Sequence, residues 1–330
     1  MKKLSAIATL LGFAALVAAS VALGQSPPPT PKRIGFLAFS NPVAGKAVID
    51  AFADELRRLG WIEGRNLQTT YRYAEGDASR LDALAADLVS LKLDVLYAGN
   101  QSGAEALHRA TTTIPVVITG VVDPVGRGFV RSLAHPGGNI TGIASAAGNE
   151  IYAKRVEILK DWLPQLSLLG LIYNPTEPNG PEALVGLQEY GSRLGFKVEA
   201  FAVSDAAGID AALSAMSRHR PDAVYLVNSA ANYTYRSTFC AGLARLRLPS
   251  IGPSSQHVEA GCLLSYGVVV EGQQREGAGF VAKILSGAKP ADLPMQQPTT
   301  FELAINARTA KALGLTMPRQ LTIRADRIIE

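Results

Sequence analysis

Short apolar runs alternate along this chain with longer stretches in which apolar residues recur every three or four positions. Ile34 to Phe39 is the first run. It ends in Ser40-Asn41-Pro42 and is followed by Val48, Phe52, Leu56 and Leu59 at helical spacing, closed by Gly60. The unit recurs as Leu67 to Tyr73 with Leu81 to Leu91, Val95 to Ala98 with Ala104 to Ala110, and Val116 to Thr119 with a predicted helix over Val125 to Leu133. Short strand-like runs, each followed by a helix, predict parallel strands with crossover helices.

Gly137-Gly138-Asn139 interrupts the series. A short strand, Ile140 to Ile143, then leads into a second set: helix Tyr152 to Leu163, strand Leu168 to Tyr173, helix Ala183 to Leu194, strand Val198 to Val203, helix Ile209 to Met216 and strand Ala223 to Val227. Helix Tyr233 to Leu246, strand Ser250 to Gly252 and strand Cys262 to Tyr266 complete it. Two similar halves predict two lobes around one cleft. The tail is irregular: after a helix ending at Phe280 to Leu285, Lys289-Pro290 and Leu293-Pro294 force an extended segment before the strand-like Phe301 to Ile305. A chain that leaves one lobe, enters the other and returns has this shape. The competing reading is one continuous sheet with an irregular tail.

Lys2 and Lys3 precede an apolar run from Leu4 to Leu23, and Ala22-Leu23-Gly24 places small residues ahead of Gln25. This reads as a secretory signal over 1–24; a membrane anchor is the alternative, since the run approaches the roughly 20 residues that span a bilayer. No cysteine lies near its exit, which argues against a lipid anchor. The prolines of 25–31 make a stiff leader. The 330-residue chain is 48% hydrophobic and 18% charged, a globular composition. Its formal charge is only +4, with arginines such as Arg57, Arg127, Arg193 and Arg245 scattered rather than clustered, so no nucleic-acid partner is expected.

Enzyme and cofactor signatures are missing where they are easy to see. In Gly99-Asn100-Gln101-Ser102-Gly103 the serine stands one place too late for a nucleophile elbow. There is no phosphate-cradling loop and no dinucleotide fingerprint. His108, His135, His219 and His257 have no metal-ligand spacing with one another or with cysteine, so neither metal nor cofactor is expected. Cys240 and Cys262 are the only cysteines; in an oxidising compartment they either form a disulfide or remain two small buried hydrophobes.

Polar residues do gather where open parallel sheets bind ligands, at strand C-terminal ends. In the first half these are Ser40 and Asn41, then Asn100, Gln101, Ser102 and Gly103 at a helix start, then Asp123 before Pro124. A helix beginning at Ser102-Gly103 presents free N–H groups suited to a carboxylate, though Ser102 is equally a plain N-cap. Asp123 is a helix cap or a partner for a ligand ammonium. In the second half, Asn174, Asn228 and Tyr266 end strands, and Tyr233 offers an aromatic face or is simply packed.

Several stretches carry a family likeness: Arg33-Ile34-Gly35-Phe36, Leu59 to Asn66, Tyr71 to Gly76, Asp123 to Gly126, Leu133 to Gly142, and above all Leu263 to Gly267 with the tail from Lys283 to Leu315. In these the chain resembles the periplasmic substrate-binding proteins of ABC importers, in the group whose relatives carry aromatic or other apolar amino acids. The resemblance implies an α/β type I periplasmic binding-protein fold: two flavodoxin-like lobes with parallel sheets joined by a three-crossing hinge. The lobes would comprise 32–145 with 267–295 and 146–266 with 296–330. It further implies a monomer in the periplasm that traps a small molecule and delivers it to an inner-membrane permease with its ATPase. At two cleft loops the chain departs from the family pattern: Gly99-Asn100-Gln101-Ser102 replaces a Gly-Thr-Pro type start, and Asn228 to Tyr233 replaces a proline-bearing aromatic loop. A sensing subunit for a membrane receptor and an exported enzyme on the same fold are the rival functions.

Overall fold

The computed structural model describes residues 30–145, 148–177 and 179–330. The signal segment and 25–29 of the leader lie outside them. The first lobe is a sheet of β1 (Lys32–Ala38), β2 (Leu67–Tyr73), β3 (Val95–Ala98), β4 (Val116–Val121) and β5 (Ile140–Ala144), all parallel in the order β2-β1-β3-β4-β5. Helices α1 (Lys46–Arg58), α2 (Leu81–Ser90) and α3 (Gln101–Ala110) connect them. The chain then enters the second lobe through α4 (Gly148–Trp162).

There β6 (Leu168–Tyr173), α5 (Asn179–Leu194), β7 (Lys197–Ala202), α6 (Ala207–His219), β8 (Ala223–Leu226), α7 (Ala230–Thr234), α8 (Arg236–Arg245), β9 (Ser250–Gly252), α9 (Ser255–Glu259) and β10 (Leu264–Val268) follow. Their sheet order, β7-β6-β8-β9-β10, repeats the flavodoxin-like pattern of the first lobe. Helix α10 (Val270–Leu285) returns to pack on the first sheet. Gln296 then runs beside β5, before β11 (Phe301–Asn306) re-enters the second sheet antiparallel to β10. α11 (Ala307–Leu313), α12 (Arg319–Arg324) and β12 (Arg327–Ile329) finish the chain. Two sheets and three passages between them rule out the single continuous sheet.

Alternate residues of the inner strands feed opposite faces, and so the middle of each sheet is buried on both sides. Ile34, Phe36 and Tyr97 meet α1 and α10, whereas Leu37, Leu96 and Ile118 meet α2 and α3. Phe36, Phe52 and Tyr97 form an aromatic knot with ring centroids 4.4–5.2 Å apart. Each such side chain, fully buried, contributes about 1.5–3 kcal/mol. In the second lobe Leu169, Leu171 and Tyr225 face α4 and α5, while Ile172, Val224 and Leu226 face α6 and α8.

Four expectations need correction. Residues 125–133 form turns, not a helix: the helical start at Asp123 stops at Gly128, which has φ +74°. The N-cap of α3 is Asn100, whose Oδ1 accepts from the Gly103 N–H at 2.8 Å, so Ser102 lies inside the first turn. The helix expected over Tyr233 to Leu246 is broken at Tyr235 into α7 and α8. The boundary expected after Tyr266 falls within β10, which runs on to Val268. The two cysteines are bonded: the Cys240–Cys262 disulfide, Cα–Cα 4.8 Å, ties α8 to the residues before β10.

Candidate functional site

A cavity of about 140 Å³ lies between the lobes, where the C-terminal ends of both sheets converge. An engineered apolar cavity of about 150 Å³ admits a benzene ring, so the space suits one aromatic or branched side chain with polar groups at its edge. The apolar walls come from both sides: Phe36, Phe39, Val48 and Ile49 of the first lobe, Tyr152 of α4, and Phe301 at the start of β11.

The charged groups on this wall, Arg155 and Glu177, both belong to the second lobe. Arg155 is only 3% exposed. Its Nε donates to the Tyr266 carbonyl at 2.6 Å, Nη1 to the Tyr225 hydroxyl at 2.9 Å, and Nη2 to the Pro253 carbonyl at 3.5 Å. No carboxylate pairs with it among the described residues. Gly267 makes room for this arrangement: a Cβ there would sit 1.9 Å from the Pro253 oxygen and 3.2 Å from Arg155 Nη2. Glu177 is buried in the loop after β6, where it accepts from the N–H groups of Ala230 and Ala231 at 2.8 and 3.0 Å and from Asn174 at 3.1 Å. Burial pushes its carboxyl up, while those three donors pull the other way.

Short α7 is held from three sides. Ser229 caps it, Asn232 Nδ2 donates to the carbonyls of Ile172 and Val227, and Glu177 takes its first N–H groups. That fixes Tyr233 over the cavity with the Arg236 guanidinium 4.4 Å from its ring centroid. Burial pushes the Tyr233 hydroxyl up to about 12, so it stays protonated, and it is buried without a partner among the described residues. Asn179 Oδ1 and Gln273 Nε2 on this wall likewise have no partner among the described residues. One acceptor, one donor and one hydroxyl are thus left for an occupant.

The residues singled out from sequence divide by position. Ser40, Asn100, Gln101, Asn228 and Tyr233 line the cavity. Asn41, Ser102, Gly103, Asp123, Asn174 and Tyr266 do not, each for a local reason. Asn41 accepts from the Ala44 N–H and Asp123 from the Gly126 N–H, closing their own turns. Ser102 and Gly103 are covered within α3. Asn174 holds Glu177, and the Tyr266 ring stacks on Phe301 while its carbonyl orients Arg155. Arg155 and Glu177 were missed. Arg155 had a signal: it stands on the stripe Tyr152, Val156, Leu159 at helical spacing, where a charged residue is out of place.

The lobes touch across the cleft. Arg127, from the turns after β4, bonds Glu105 of α3 at 3.4 Å and Glu182 of α5 in the other lobe. Ala231 and Tyr235 pack into the core of the first lobe. No group of three or more potential metal ligands occurs among the described residues, nor a helix long and apolar enough to cross a membrane.

The sequence profile of a family described as ABC transporter substrate binding protein matches residues 34–329. A "Tyrosine-binding protein" of Clostridioides difficile is 27% identical over 272 residues, 82% of this chain and 76% of that protein. A Streptococcus pneumonia ABC domain in complex with L-Trp superposes with a TM-score of 0.82 at 25% identity, covering 91% of this chain and all of that one. The ligand-free, open structure of a Clostridium difficile substrate binding protein gives a TM-score of 0.62 at 26% identity, over 90% of this chain and 99% of that one.

Proposed function

The chain belongs to the ABC transporter substrate-binding family, and from that premise we propose that it is a periplasmic receptor for an aromatic or other apolar amino acid, which it traps between its lobes and hands to a permease with its ATPase. The observation that carries this reading is the cavity itself: an apolar slot with a buried, carboxylate-free arginine at one edge and unpaired neutral polar groups beside it. The likeness to tyrosine- and tryptophan-binding relatives supports the ligand class. Closer superposition on the L-Trp complex than on the open, ligand-free structure supports closure around the occupant. The apolar run at the N-terminus supports export.

Closure is a shift between open and closed populations, and it follows from an occupant touching both lobes only in the closed form. The three passages between the lobes serve as the hinge. A thermal-shift screen of 25–330 against the amino acids, with sugars as controls, tests the reading. A ligand at 100 times its dissociation constant adds about 2.7 kcal/mol of stability. The expected result is a rise in melting temperature with tyrosine, tryptophan, phenylalanine or a branched amino acid; silence across the whole amino-acid set rejects it.

A further inference from the structure

We infer that Arg155 is the group that selects the ligand, and that it does so by reading a carboxylate. This rests on the receptor reading above and narrows it. A guanidinium carries five N–H donors. Three are directed at the Tyr266 carbonyl, the Tyr225 hydroxyl and, at the long distance of 3.5 Å, the Pro253 carbonyl, which leaves two without an acceptor among the described residues. The side chain is 3% exposed and lies on the cavity wall.

A buried cation without a counter-ion is costly, and the described residues supply none. The carbonyls of Pro253 and Tyr266 and the Tyr225 hydroxyl aim the fork without neutralising it. A ligand carboxylate neutralises it and takes the remaining donors in the two-point geometry that matches a planar guanidinium. The polar side chains of the first lobe on this cavity, those of Ser40, Asn100, Gln101, Ser145, Gln273 and Gln274, carry no charge. Carboxylate selection is therefore a property of the second lobe alone, and the first lobe reads what is attached to the carboxylate.

An alternative role for Arg155 is purely structural, cross-linking α4 to β8 and β10 through the same three acceptors. A structural brace is indifferent to the charge of the ligand, which gives the test its readout. Binding of L-tryptophan, L-tyrosine, L-phenylalanine and L-leucine to the wild-type protein is measured by calorimetry beside their carboxamides and their decarboxylated amines. At least one acid should bind, with its amide and amine weaker by about 30-fold or more, the range seen when one partner of a buried charge pair is removed. In Arg155→Met, shown to be folded by circular dichroism, acid and amide should bind within about threefold of each other, and Arg155→Lys should retain part of the preference.

Equal binding of acid and amide by the wild type overturns the inference while leaving the amino-acid reading intact. A preference that survives in folded R155M also overturns it. If no amino acid binds, benzoate, phenylacetate and indole-3-acetate are tried at millimolar concentration. Binding of one of these that is lost in R155M sustains the carboxylate inference and rejects the amino-acid reading, and failure of every carboxylate rejects the inference.

Discussion

The two walls of the cleft are built from the same sheet topology yet differ in kind. The second lobe presents charge held by backbone: Arg155 is aimed by the carbonyls of Tyr266 and Pro253, and Glu177 is saturated by the N–H groups at the start of α7. The first lobe presents neutral side chains: Asn100 and Gln101 accept from the N–H groups of Gly103 and Val122, while Gln274 of α10 is steadied by other side chains. Tyr97 donates to Gln274, and Gln274 in turn donates to Thr119 at 3.3 Å. Backbone-anchored groups cannot shift without moving a strand, whereas a side-chain relay can repack. The second wall is fixed and the first is adjustable on its α10 side, a division suited to recognising a constant group on one side and a variable one on the other.

Two glycines on the cavity wall test that contrast most sharply. A Cβ at Gly267 meets a backbone oxygen at 1.9 Å, whereas at Gly99 it meets the side-chain amide of Gln274 at 2.9 Å. Gly267→Ala is expected to cost about 3 kcal/mol in urea unfolding and to abolish ligand binding. Gly99→Ala should cost under about 1 kcal/mol and leave binding measurable. Similar penalties at both sites would dissolve the distinction between the walls.

The next effect belongs to the second lobe alone. His257 in α9 is fully buried, with Nδ1 3.0 Å from Ser254 Oγ and Nε2 without a partner among the described residues. Burial first, then the nearby Arg236 and Arg155, lower its pKa from 6.5 to about 3. Below pH 6.5 the unfolded chain takes up a proton that the folded chain refuses, so stability falls as pH drops from 6.5 toward 3. The loss is on the order of 2 kcal/mol between pH 6.5 and 5. His257→Gln should remove that part of the slope in chemical unfolding measured across this range, and an unchanged slope would clear His257 of responsibility.

Smaller effects probe the first lobe and the seam. Tyr97→Phe leaves Gln274 Oε1 without its buried donor and should lower stability by about 1 kcal/mol without weakening the ligand more than about threefold. A loss of binding as large as that of Gly267→Ala would mean that the first wall is no more adjustable than the second. Glu182→Gln removes the charge that meets Arg127 across the lobes. Because Glu182 is 47% exposed, solvent screens the pair, and the expected loss of affinity is about twofold, vanishing in high salt. Calorimetry at two ionic strengths checks it, and a salt-independent loss would assign Glu182 some role other than pairing.

The fold was legible because its inner strands, such as β3, β4 and β8, are nearly continuous apolar runs of the kind a sheet covered on both faces produces, each followed by a helical pattern. Mistakes fell where one or two residues decide the backbone. Gly128 converts an expected helix into turns, and Asn100 takes the cap two positions ahead of Ser102. The cavity was half legible. Strand ends pointed to Ser40, Asn100, Gln101, Asn228 and Tyr233, all of which the structure brings to one cavity. Glu177 carried no periodic signal, being a loop residue whose burial depends on α7, more than fifty positions later in the chain. Phe301 reaches the cavity only because β11 returns antiparallel beside β10, a long-range pairing that local pattern does not encode. Arg155 was readable in principle, as the one charge on an apolar helical stripe.

The disulfide divides the molecule in a practical way. Both cysteines lie in the second lobe, 22 positions apart, and the first lobe has neither. Closing a loop of that length stabilises by about 3 kcal/mol in the chain-entropy account. A preparation made in a reducing cytoplasm, or stored with dithiothreitol, therefore weakens only the half that carries Arg155 and Glu177. The first lobe would keep its helical signal in such a sample, and a lowered active fraction at the bench would report on thiol handling rather than on the choice of ligand.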